Sequence, residues 1–457
     1  MLIIAFPLGF FKWNFPFFLP KKGDSGFDFL AVFSWENPLT VFSLYVILLL
    51  EMKKRKGSGM KHLFSRLDTS VKQAVNLGAL SGFFWFAWAF GCYQAVYLQS
   101  IGFSASQLGL LNSISSGVGI ASVAFWGMVS DRIGSLRKVL VIILAVGAGL
   151  YALTPLIPTA PVVLMAFLPA VHFFRGSQST FSENILVRNC NELRLNYGVL
   201  RSAGSFLFTV GSLVIASLLP TVGVRNTFVL SGILMVIPVV LTICAREPTA
   251  RPAAKRGEKA EKLDLSPLLK NKTYLMFLVF TFVFYLACSC EGTFLPYFMS
   301  SAQIPAEHYG VVLAYRALLE IPFLIAMVRL RQRLSLRVLV AIAPLLMAAE
   351  CLGFGLFAKT LPGMLIFCTF FGLGNGLFIG STLNYVYELA PAHLKASAQA
   401  FYAAVSSVAG ILGNLLGGMV FDGIGAKPFY LVIAATFSMS AVLFVLSFAE
   451  RKNAATP

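Results

Sequence analysis

The segment "GMVSDRIGSLRK", residues Gly127–Lys138, lies between two long apolar runs and decides the fold. It holds one carboxylate, at Asp131, together with arginine and lysine side chains and two glycines. A carboxylate and several cations at the inner mouth of two membrane helices can form a charge network that stabilises one conformation of a gate. Glycine allows the tight turn and the close helix approach that such a loop needs. The residues assigned to this gating loop are Gly127, Asp131, Arg132, Gly134, Arg137 and Lys138.

The composition of the whole chain indicates a membrane protein. Of its 457 residues, 58% are hydrophobic and only 12% are charged, and the mean hydropathy is +0.80. A soluble domain cannot present such a composition to water. The chain is therefore predicted to be a polytopic protein embedded in the lipid bilayer.

Twelve segments of the sequence are long and apolar enough to cross a bilayer as helices. A helical span needs about 20 mostly apolar residues. Frequent glycine and phenylalanine suit helix packing in lipid, whereas the strands of a β-barrel would alternate between apolar and polar residues. The sequence thus predicts an all-α membrane protein with spans at 76–98, 107–129, 138–157, 161–187, 199–219, 226–244, 273–298, 308–330, 337–357, 362–388, 397–419 and 428–448.

The formal net charge of +17 is distributed over the loops as in a membrane protein and does not indicate a nucleic-acid partner. With a cytoplasmic N-terminus, the inner loops receive most of the lysine and arginine, whereas the outer loops hold little beyond Arg225, Lys359 and Lys427. This asymmetry is the positive-inside pattern, which predicts an even number of spans with both termini in the cytoplasm. We expect a multi-pass protein of the cytoplasmic (inner) membrane.

A charged segment divides the predicted spans six and six. Residues 245–272 are rich in charge and poor in large apolar side chains, which is typical of a solvated tether. Two six-helix halves joined in this way are the plan of many secondary transporters, which bind substrate near the bilayer midplane between the halves. The predicted domains are an N-terminal half at 73–244, a cytoplasmic linker at 245–272, a C-terminal half at 273–450 and a tail at 451–457.

Residues 1–72 are assigned as an N-terminal extension. Its first 59 residues are apolar in places but interrupted by prolines, and they lack a signal-peptide cleavage pattern. Lys56 and Gly57 lie just before Met60, where a bacterial gene would place a purine-rich ribosome-binding sequence. We therefore expect Met60 to be the true start of the protein.

The gating loop resembles the signature loop of the major facilitator superfamily. In that family the pattern G-x-x-x-D-R-x-G is followed by basic residues. This chain has the same pattern, but its basic pair lies about one position later. An ordinary positive-inside loop would explain the cations but not this spacing. The resemblance implies the major facilitator fold. The matching residues are Gly127, Asp131, Arg132 and Gly134.

The stretch "YGVLRSAGS", Tyr197–Ser205, resembles the start of the fifth helix in the lactose-permease-like branch of oligosaccharide and nucleoside proton symporters. In that branch an arginine of helix five works with a glutamate 18 residues earlier, and Arg201 and Glu183 have this separation. A guanidinium donates a fork of hydrogen bonds and a carboxylate accepts them, so such a pair can hold a sugar. The resemblance implies that Phe208 stacks on the sugar. The alternative is a structural ion pair that closes the inner ends of helices four and five.

The second half resembles the branch less closely. Glu291 matches a family acid in helix seven, and Glu320 falls at a sugar-contacting position of helix eight. Ala317 stands where the family has an essential glutamate. Helix ten contains none of the histidine, glutamate and lysine that serve proton coupling in the family. Coupling therefore cannot be assigned residue by residue from the resemblance.

If protons drive transport, the available carriers are Glu350 and Glu320, because burial favours the neutral form of a carboxyl group. Arg316 lies one turn before Glu320 and would keep it ionised in an ion pair, which leaves Glu350 as the freer candidate. Glu291 completes the predicted coupling residues. For Glu291, pairing with a fixed cation is an equal alternative.

Arg175 departs from the family, which has an apolar residue at this place. It lies near the centre of the span 161–187, two turns before Glu183. Together with Arg201 it can bind a carboxylate or a phosphate, which opens organic anions as a second substrate class. The predicted substrate-binding residues are Glu183, Arg201, Phe208, Glu320, Arg175 and Tyr93.

The predicted function is proton-coupled uptake of a small polar solute, an oligosaccharide or a nucleoside, by a monomeric secondary transporter. The sequence contains no nucleotide-binding loop, metal-ligand constellation or catalytic triad, so neither an enzyme nor a cofactor nor a metal site is predicted. The alternatives are uptake of organic anions, and efflux of drugs or sugars through a wide aromatic cavity. A membrane sensor that binds without translocating is a further alternative, but it lacks an output domain.

Overall fold

The computed structural model describes residues 61–249 and 265–453, and this part of the chain is helical throughout, with no strand. The expected start at Met60, most of the predicted linker and the last four residues lie outside the described residues. From Lys72 onward the described helices belong to one compact unit, which holds all the predicted spans.

The helices of the first half begin and end at local capping signals. The Ser104 hydroxyl accepts from the Gln107 amide at 3.2 Å, while the Gln107 side chain accepts from the Ser104 amide at 3.0 Å. At the other end of this helix Gly134 has φ of +68°, a conformation that suits glycine. The helices are α1 (Lys61–Gly91), α2 (Gln94–Ser100), α3 (Ala105–Ile133), α4 (Leu136–Leu153), α5 (Pro161–Leu193), α6 (Tyr197–Val222), α7 (Thr227–Leu234) and α8 (Val236–Cys244).

The second half repeats this plan with long helices joined by short loops. Asn271, Ser335 and Thr360 cap three of its helices by accepting a hydrogen bond from a backbone N–H of the first turn. The helices are α9 (Ser266–Leu269), α10 (Lys272–Ser301), α11 (His308–Arg333), α12 (Leu336–Leu356), α13 (Leu361–Leu389), α14 (Lys395–Ile424) and α15 (Ala426–Asn453).

The predicted spans coincide with helical segments to within a few residues, and two of them, 76–98 and 226–244, each comprise two consecutive helices. Ten helices of the described residues are long and apolar enough to cross a membrane. The helices α5 and α11 are not among the ten, because polar side chains such as Arg175 and Arg316 lower their hydropathy. The predicted number of twelve therefore stays a prediction.

Glycines let the two halves approach closely where α3 crosses α14. A Cβ atom added at Gly109 would clash with the carbonyl oxygen of Asn414, and one added at Gly418 would clash with that of Ala105. Beyond Gly109 and Asn414, on the side away from Gly418, Ser113 Oγ donates to the Ile411 carbonyl at 2.8 Å. Small residues that bring backbones together are the usual basis of helix association in membranes.

Hydrogen bonds join the halves at the end of the bundle where α3 begins and α14 ends. The Asp422 carboxylate accepts from the amides of Ala105 and Ser106, at 3.1 and 2.8 Å, and so caps the N-terminus of a helix in the other half. The Tyr297 hydroxyl donates to the Phe103 carbonyl at 2.8 Å. This end of the bundle is closed.

We predict that Gly109→Ala destabilises the protein, because the new methyl group forces α3 and α14 apart. A loss of about 1–3 kcal/mol in the free energy of unfolding is expected for such overpacking. Gly117→Ala is the matched control on the same helix, since a Cβ there meets nothing within 4 Å. Thermal unfolding in detergent would compare the two, and equal melting temperatures would contradict the packing described here.

Candidate functional site

Glu183 and Arg201 form an ion pair between α5 and α6. Arg201 Nε lies 2.6 Å from Glu183 Oε1, and the side chains of Arg201 and Glu183 are 32% and 28% exposed, respectively. The Tyr197 hydroxyl donates to the other carboxylate oxygen, Oε2, at 3.0 Å. Both oxygens of Glu183 thus have a partner, whereas Nη1 and Nη2 of Arg201 have no hydrogen-bond partner among the described residues. The guanidinium keeps donors for a further group.

Aromatic rings surround Arg201. Its guanidinium lies 5.0 Å from the centroid of the Trp85 ring, and Trp85 makes an edge contact with Phe208 at 6.3 Å. Gly204 makes room for both groups, because a Cβ there would lie 2.6 Å from Trp85 Cδ1 and 3.0 Å from Arg201 Nη1. Phe208 therefore belongs to the same cluster as the ion pair. Sequence reasoning missed Trp85, although the aromatic run "FFWFAW" at 83–88 marks this part of α1.

Three charged side chains of the second half form a buried triad: Glu291 on α10, Arg316 on α11 and Glu350 on α12. Arg316 Nη2 lies 2.6 Å from Glu291 Oε1 and 2.5 Å from Glu350 Oε1. None of the three side chains is more than 6% exposed. The Phe371 ring covers the guanidinium at 4.3 Å. Water is thus largely excluded from this cluster.

The triad holds more negative than positive charge when both carboxyl groups are ionised. Each glutamate uses a single oxygen for the guanidinium, and the second oxygen, Oε2, has no hydrogen-bond partner in either residue. Arg316 Nε is also without a partner. One guanidinium therefore serves two acids, and the cluster has room for a proton on either acid.

The expected pairing of Arg316 with Glu320 is wrong. Arg316 is taken by acids on two neighbouring helices, while Glu320 Oε1 accepts from Asn375 Nδ2 at 2.6 Å. The close approach of α13 explains this contact, because a Cβ at Gly376 would lie 3.0 Å from the Glu320 carbonyl oxygen. Glu350 is therefore not the freer acid. The alternative expected for Glu291, pairing with a fixed cation, is the arrangement found.

The gating loop forms a charge network, but its acid is Glu247. Arg137 Nε lies 3.5 Å from Glu247 Oε2, and the Ser135 hydroxyl donates to the same oxygen at 2.5 Å. Asp131 is exposed and has no ion pair among the described residues. A Cβ at Gly127 would meet nothing within 4 Å, so the expected close helix approach is also absent at this residue. Glu247 was missed because it lies near the start of the segment 245–272, which was assigned as a solvated tether.

Three further residues of the gating loop have structural positions of their own. Gly134 provides the left-handed turn that ends α3. The Lys138 amide donates to Ser135 Oγ and so receives the cap of α4, and Arg132 lies in the exposed last turn of α3. The turn expected from the glycine spacing is thus present at Gly134.

Tyr93 lies in the contact between the halves and not in an open cavity. Its side chain is fully buried, and its hydroxyl accepts from the Gly310 amide at 2.9 Å. The Tyr309 ring packs against it at 5.4 Å. In this conformation Tyr93 is not available to a solute, because its ring and its hydroxyl both contact neighbouring helices.

Arg175 is buried next to aromatic rings. Its guanidinium lies 3.6 Å from the Tyr151 ring centroid and 4.8 Å from that of Trp88, and the residue is 6% exposed. It lines a cavity of about 330 Å³. The expected direct partnership with Arg201 is replaced by an indirect link, since Trp88 contacts Trp85 at 6.1 Å and Trp85 contacts Arg201.

A helical bundle that is closed at one end and holds charged residues among its helices is the architecture of a membrane transporter. The MFS_1 like family model matches residues 78–432, and the chain belongs to this family of the major facilitator superfamily.

Relatives of the chain are bacterial transport proteins. The uncharacterized transporter YwbF of Bacillus subtilis (strain 168) is 24% identical over 384 residues, which cover 81% of this chain and 91% of YwbF. The maltose permease of Geobacillus stearothermophilus is 26% identical over 375 residues, which cover 79% of this chain and 90% of the permease.

Solved structures with the same fold include two kinds of transporter. The nucleoside transporter NupG aligns with a TM-score of 0.67 and 18% identity, covering 82% of this chain and 99% of NupG. An auto-inhibited peptide transporter of the POT family aligns with a TM-score of 0.66 and 13% identity, covering 83% of this chain and 97% of that one. These similarities confirm an all-helical fold of the kind found in major facilitator transporters.

We predict that Arg316→Gln destabilises the protein far more than Arg201→Gln. The first substitution leaves two acids buried without a cation, at a cost of about 3–5 kcal/mol. The second breaks a pair that is about one-third exposed, where about 1 kcal/mol or less is expected. Thermal unfolding of the purified variants measures both. Adding Glu291→Gln and Glu350→Gln to Arg316→Gln should recover stability, and a wild-type melting temperature for Arg316→Gln alone would rule out the triad.

Proposed function

We propose that this chain is a proton-coupled secondary transporter that takes up a small polar solute, a sugar or a nucleoside, across the cytoplasmic membrane. It acts as a monomer by alternating access, with twelve spans, two six-helix halves at 73–244 and 273–450, and both termini in the cytoplasm. The observation that carries the proposal is the buried triad, because two acids on one guanidinium hold a site for a single exchangeable proton. The names of two similar proteins, a maltose permease and a nucleoside transporter, support the solute class.

The proposed topology assigns a direction to the conformation described above. With the N-terminus inside, α3 begins at the outer face, so the end closed by Asp422 and Tyr297 is the outer end. The Glu183 and Arg201 side chains are about one-third exposed and lie near the start of α6, which is the inner end. The protein is then in an inward-facing state, with the solute site accessible from the cytoplasm.

The solute site is built on the ion pair of α5 and α6. Arg201 has two nitrogens free to donate to vicinal hydroxyl groups, while Tyr197 and Arg201 hold Glu183 in place as an acceptor. Trp85 and Phe208 supply ring faces for the apolar side of a sugar or for a base. Glu320 lies in the half opposite this ion pair and accepts a hydrogen bond from Asn375. It is the further polar contact that we assign to the solute.

The triad is the proton site. With both carboxyl groups ionised, the cluster carries one net negative charge in surroundings that exclude water, and one proton on Glu350 or Glu291 removes it. Because α10, α11 and α12 each contribute one member, a shift of α11 during alternating access changes the distances from Arg316 to both acids. Proton binding is in this way linked to the conformation of the half.

Asp131 has a role in the opposite state. In the inward-facing state it is exposed and has no ion pair among the described residues, as expected for a residue of the inner gate when the inner end is open. Closure of the inner end brings the gating loop to the second half, where its carboxylate gains a partner and stabilises the outward-facing state. Arg132 and Arg137 provide the positive side of the same gate.

We predict that the reconstituted protein accumulates a sugar or a nucleoside under an inward proton gradient, and that Glu350→Gln abolishes this accumulation. The amide keeps the size of the side chain but cannot titrate, so Glu291 and Arg316 stay a permanent neutral pair. Exchange of labelled solute across proteoliposomes should persist at a similar rate, because exchange needs no net proton movement.

Glu320→Gln is the matched control, since Glu320 is bonded to an amide and not to Arg316. It should weaken solute binding and leave coupling intact. Accumulation at the wild-type level in Glu350→Gln, together with its loss in Glu320→Gln, would move the proton site to Glu320.

We predict that Arg201→Lys weakens solute binding by at least about tenfold while the melting temperature barely changes, because an ammonium group retains the charge but not the fork of donors. Arg188→Lys on α5 serves as the control, since Arg188 has no ion pair among the described residues. Isothermal titration of the purified protein gives the affinity.

The exchanged pair Glu183→Arg with Arg201→Glu separates binding from scaffolding. A structural ion pair should recover its stability in the exchanged variant, whereas a site with a fixed solute orientation should stay inactive. Wild-type affinity in Arg201→Lys would show that the pair is a scaffold.

A further inference from the structure

Arg175 carries a buried positive charge without an acidic partner. The other two arginines inside the helical halves have carboxylates at 2.6 Å or less, Arg201 from Glu183 and Arg316 from Glu291 and Glu350. Arg175 has no ion pair among the described residues, although it is only 6% exposed. A buried charge without a counter-charge is costly, so it points to a group that arrives from outside the chain.

The protein contacts of Arg175 leave part of its guanidinium unused. Tyr151 and Trp88 cover it with their rings, but Nη1 is buried and has no hydrogen-bond partner. The Tyr151 hydroxyl donates to the Gly91 carbonyl at 2.8 Å and accepts no hydrogen bond from Nη1. Gly91 ends α1 and makes room for the arginine, since a Cβ there would lie 2.7 Å from Nη2. The chain thus accommodates the arginine and leaves a donor unsatisfied.

Arg175, the residue that carries the unused donor, lines a cavity with other polar groups. Arg175 and Ser115 both line the cavity of about 330 Å³, together with Asn112, Gln94 and His172. Ser115 Oγ is likewise buried and without a hydrogen-bond partner. Buried polar atoms are almost always paired, so two unpaired ones on residues that line the same cavity point to a ligand that supplies acceptor atoms when these side chains turn towards it.

We infer that Arg175 and Ser115 bind the carboxylate of a singly charged organic solute. This inference rests on the proposed uptake of a small polar solute, and it assigns monocarboxylates as that solute in place of neutral sugars and nucleosides. Arg175 is the one fixed cation among the described residues that line the cavity. One negative charge balances it, whereas a phosphate dianion would leave an excess negative charge next to a single buried guanidinium.

The rest of the solute extends towards the ion pair of α5 and α6. Trp88 lines the cavity, and its contact with Trp85 at 6.1 Å leads to the ring beside Arg201. A solute with a carboxylate at one end and hydroxyl groups at the other satisfies both arginines at once. A sugar acid has this chemistry.

The test uses the full chain in detergent and three pairs of probes that differ only in charge: acetate and acetamide, benzoate and benzamide, glucuronate and glucuronamide. Tryptophan fluorescence reports binding, because Trp85 and Trp88 stand beside the two arginines, and thermal stabilisation is the second readout. In at least one pair the carboxylate should bind at least about tenfold tighter than its amide.

Three variants assign this preference to the cavity. Arg175→Gln should abolish the difference between carboxylate and amide, Arg175→Lys should keep it at lower affinity, and Ser115→Ala should weaken carboxylate binding several-fold. Arg188→Gln removes a positive charge from the same helix outside the cavity and should behave as the wild type. If Arg175→Gln does not fold, the acid and amide probes are compared on the wild type and on Arg175→Lys. A carboxylate affinity that is not lowered in Arg175→Lys would then overturn the inference.

Equal binding of acid and amide in all three pairs would overturn the inference, as would an unchanged preference in Arg175→Gln. A response to inorganic phosphate without one to any carboxylate would overturn the solute class. Carboxylate binding without any transport in proteoliposomes would count against the proposed function alone. Transport of neutral solutes with no carboxylate preference would count against this inference alone.

Discussion

A charge placed among membrane helices must be balanced by its neighbours, and this requirement arranges the polar residues of both halves. The balance differs from site to site. Arg201 has one acid, Arg316 has two, and Arg175 has none among the described residues. One half therefore has a place for an extra positive charge, and the other has a place for an extra negative charge.

These two imbalances are equal and opposite. If the triad accepts one proton, as proposed, and Arg175 accepts one monoanion, as inferred, the loaded protein has gained no net charge. Transport of this kind responds to a pH gradient and is indifferent to the electrical potential across the membrane, because the substrates that cross together are neutral as a set.

The sequence predicts most reliably what depends on neighbours along the chain. Apolar runs of about 20 residues define the helices, because hydropathy sums over a whole segment. The pair of Glu183 and Arg201 was found by its spacing and lies at 2.6 Å, with Phe208 in the same cluster. The glycines of the gating loop predicted a tight turn, and Gly134 provides it with a φ of +68°, which suits glycine.

The partners of Arg316 could not be predicted, because they lie 25 and 34 residues away on other helices. Helical spacing favoured Glu320, one turn away, but a helix surface does not show which of its faces meets a neighbouring acid. Glu247 was missed for a related reason: its role follows from the fold of the linker onto Ser135 and Arg137. Trp85 carries no charge, and its position beside Arg201 depends on the packing of α1 against α6 at Gly204.

The cap that Asp422 places on α3 has a consequence for variation in the chain. Two of its partners are the backbone amides of residues 105 and 106, and these two hydrogen bonds do not depend on which side chains stand there. A conventional ion pair between the halves needs two matched residues, and a change in either one breaks it. Here a single carboxylate is required, and the other partner is supplied by every amino acid except proline, which has no N–H to donate.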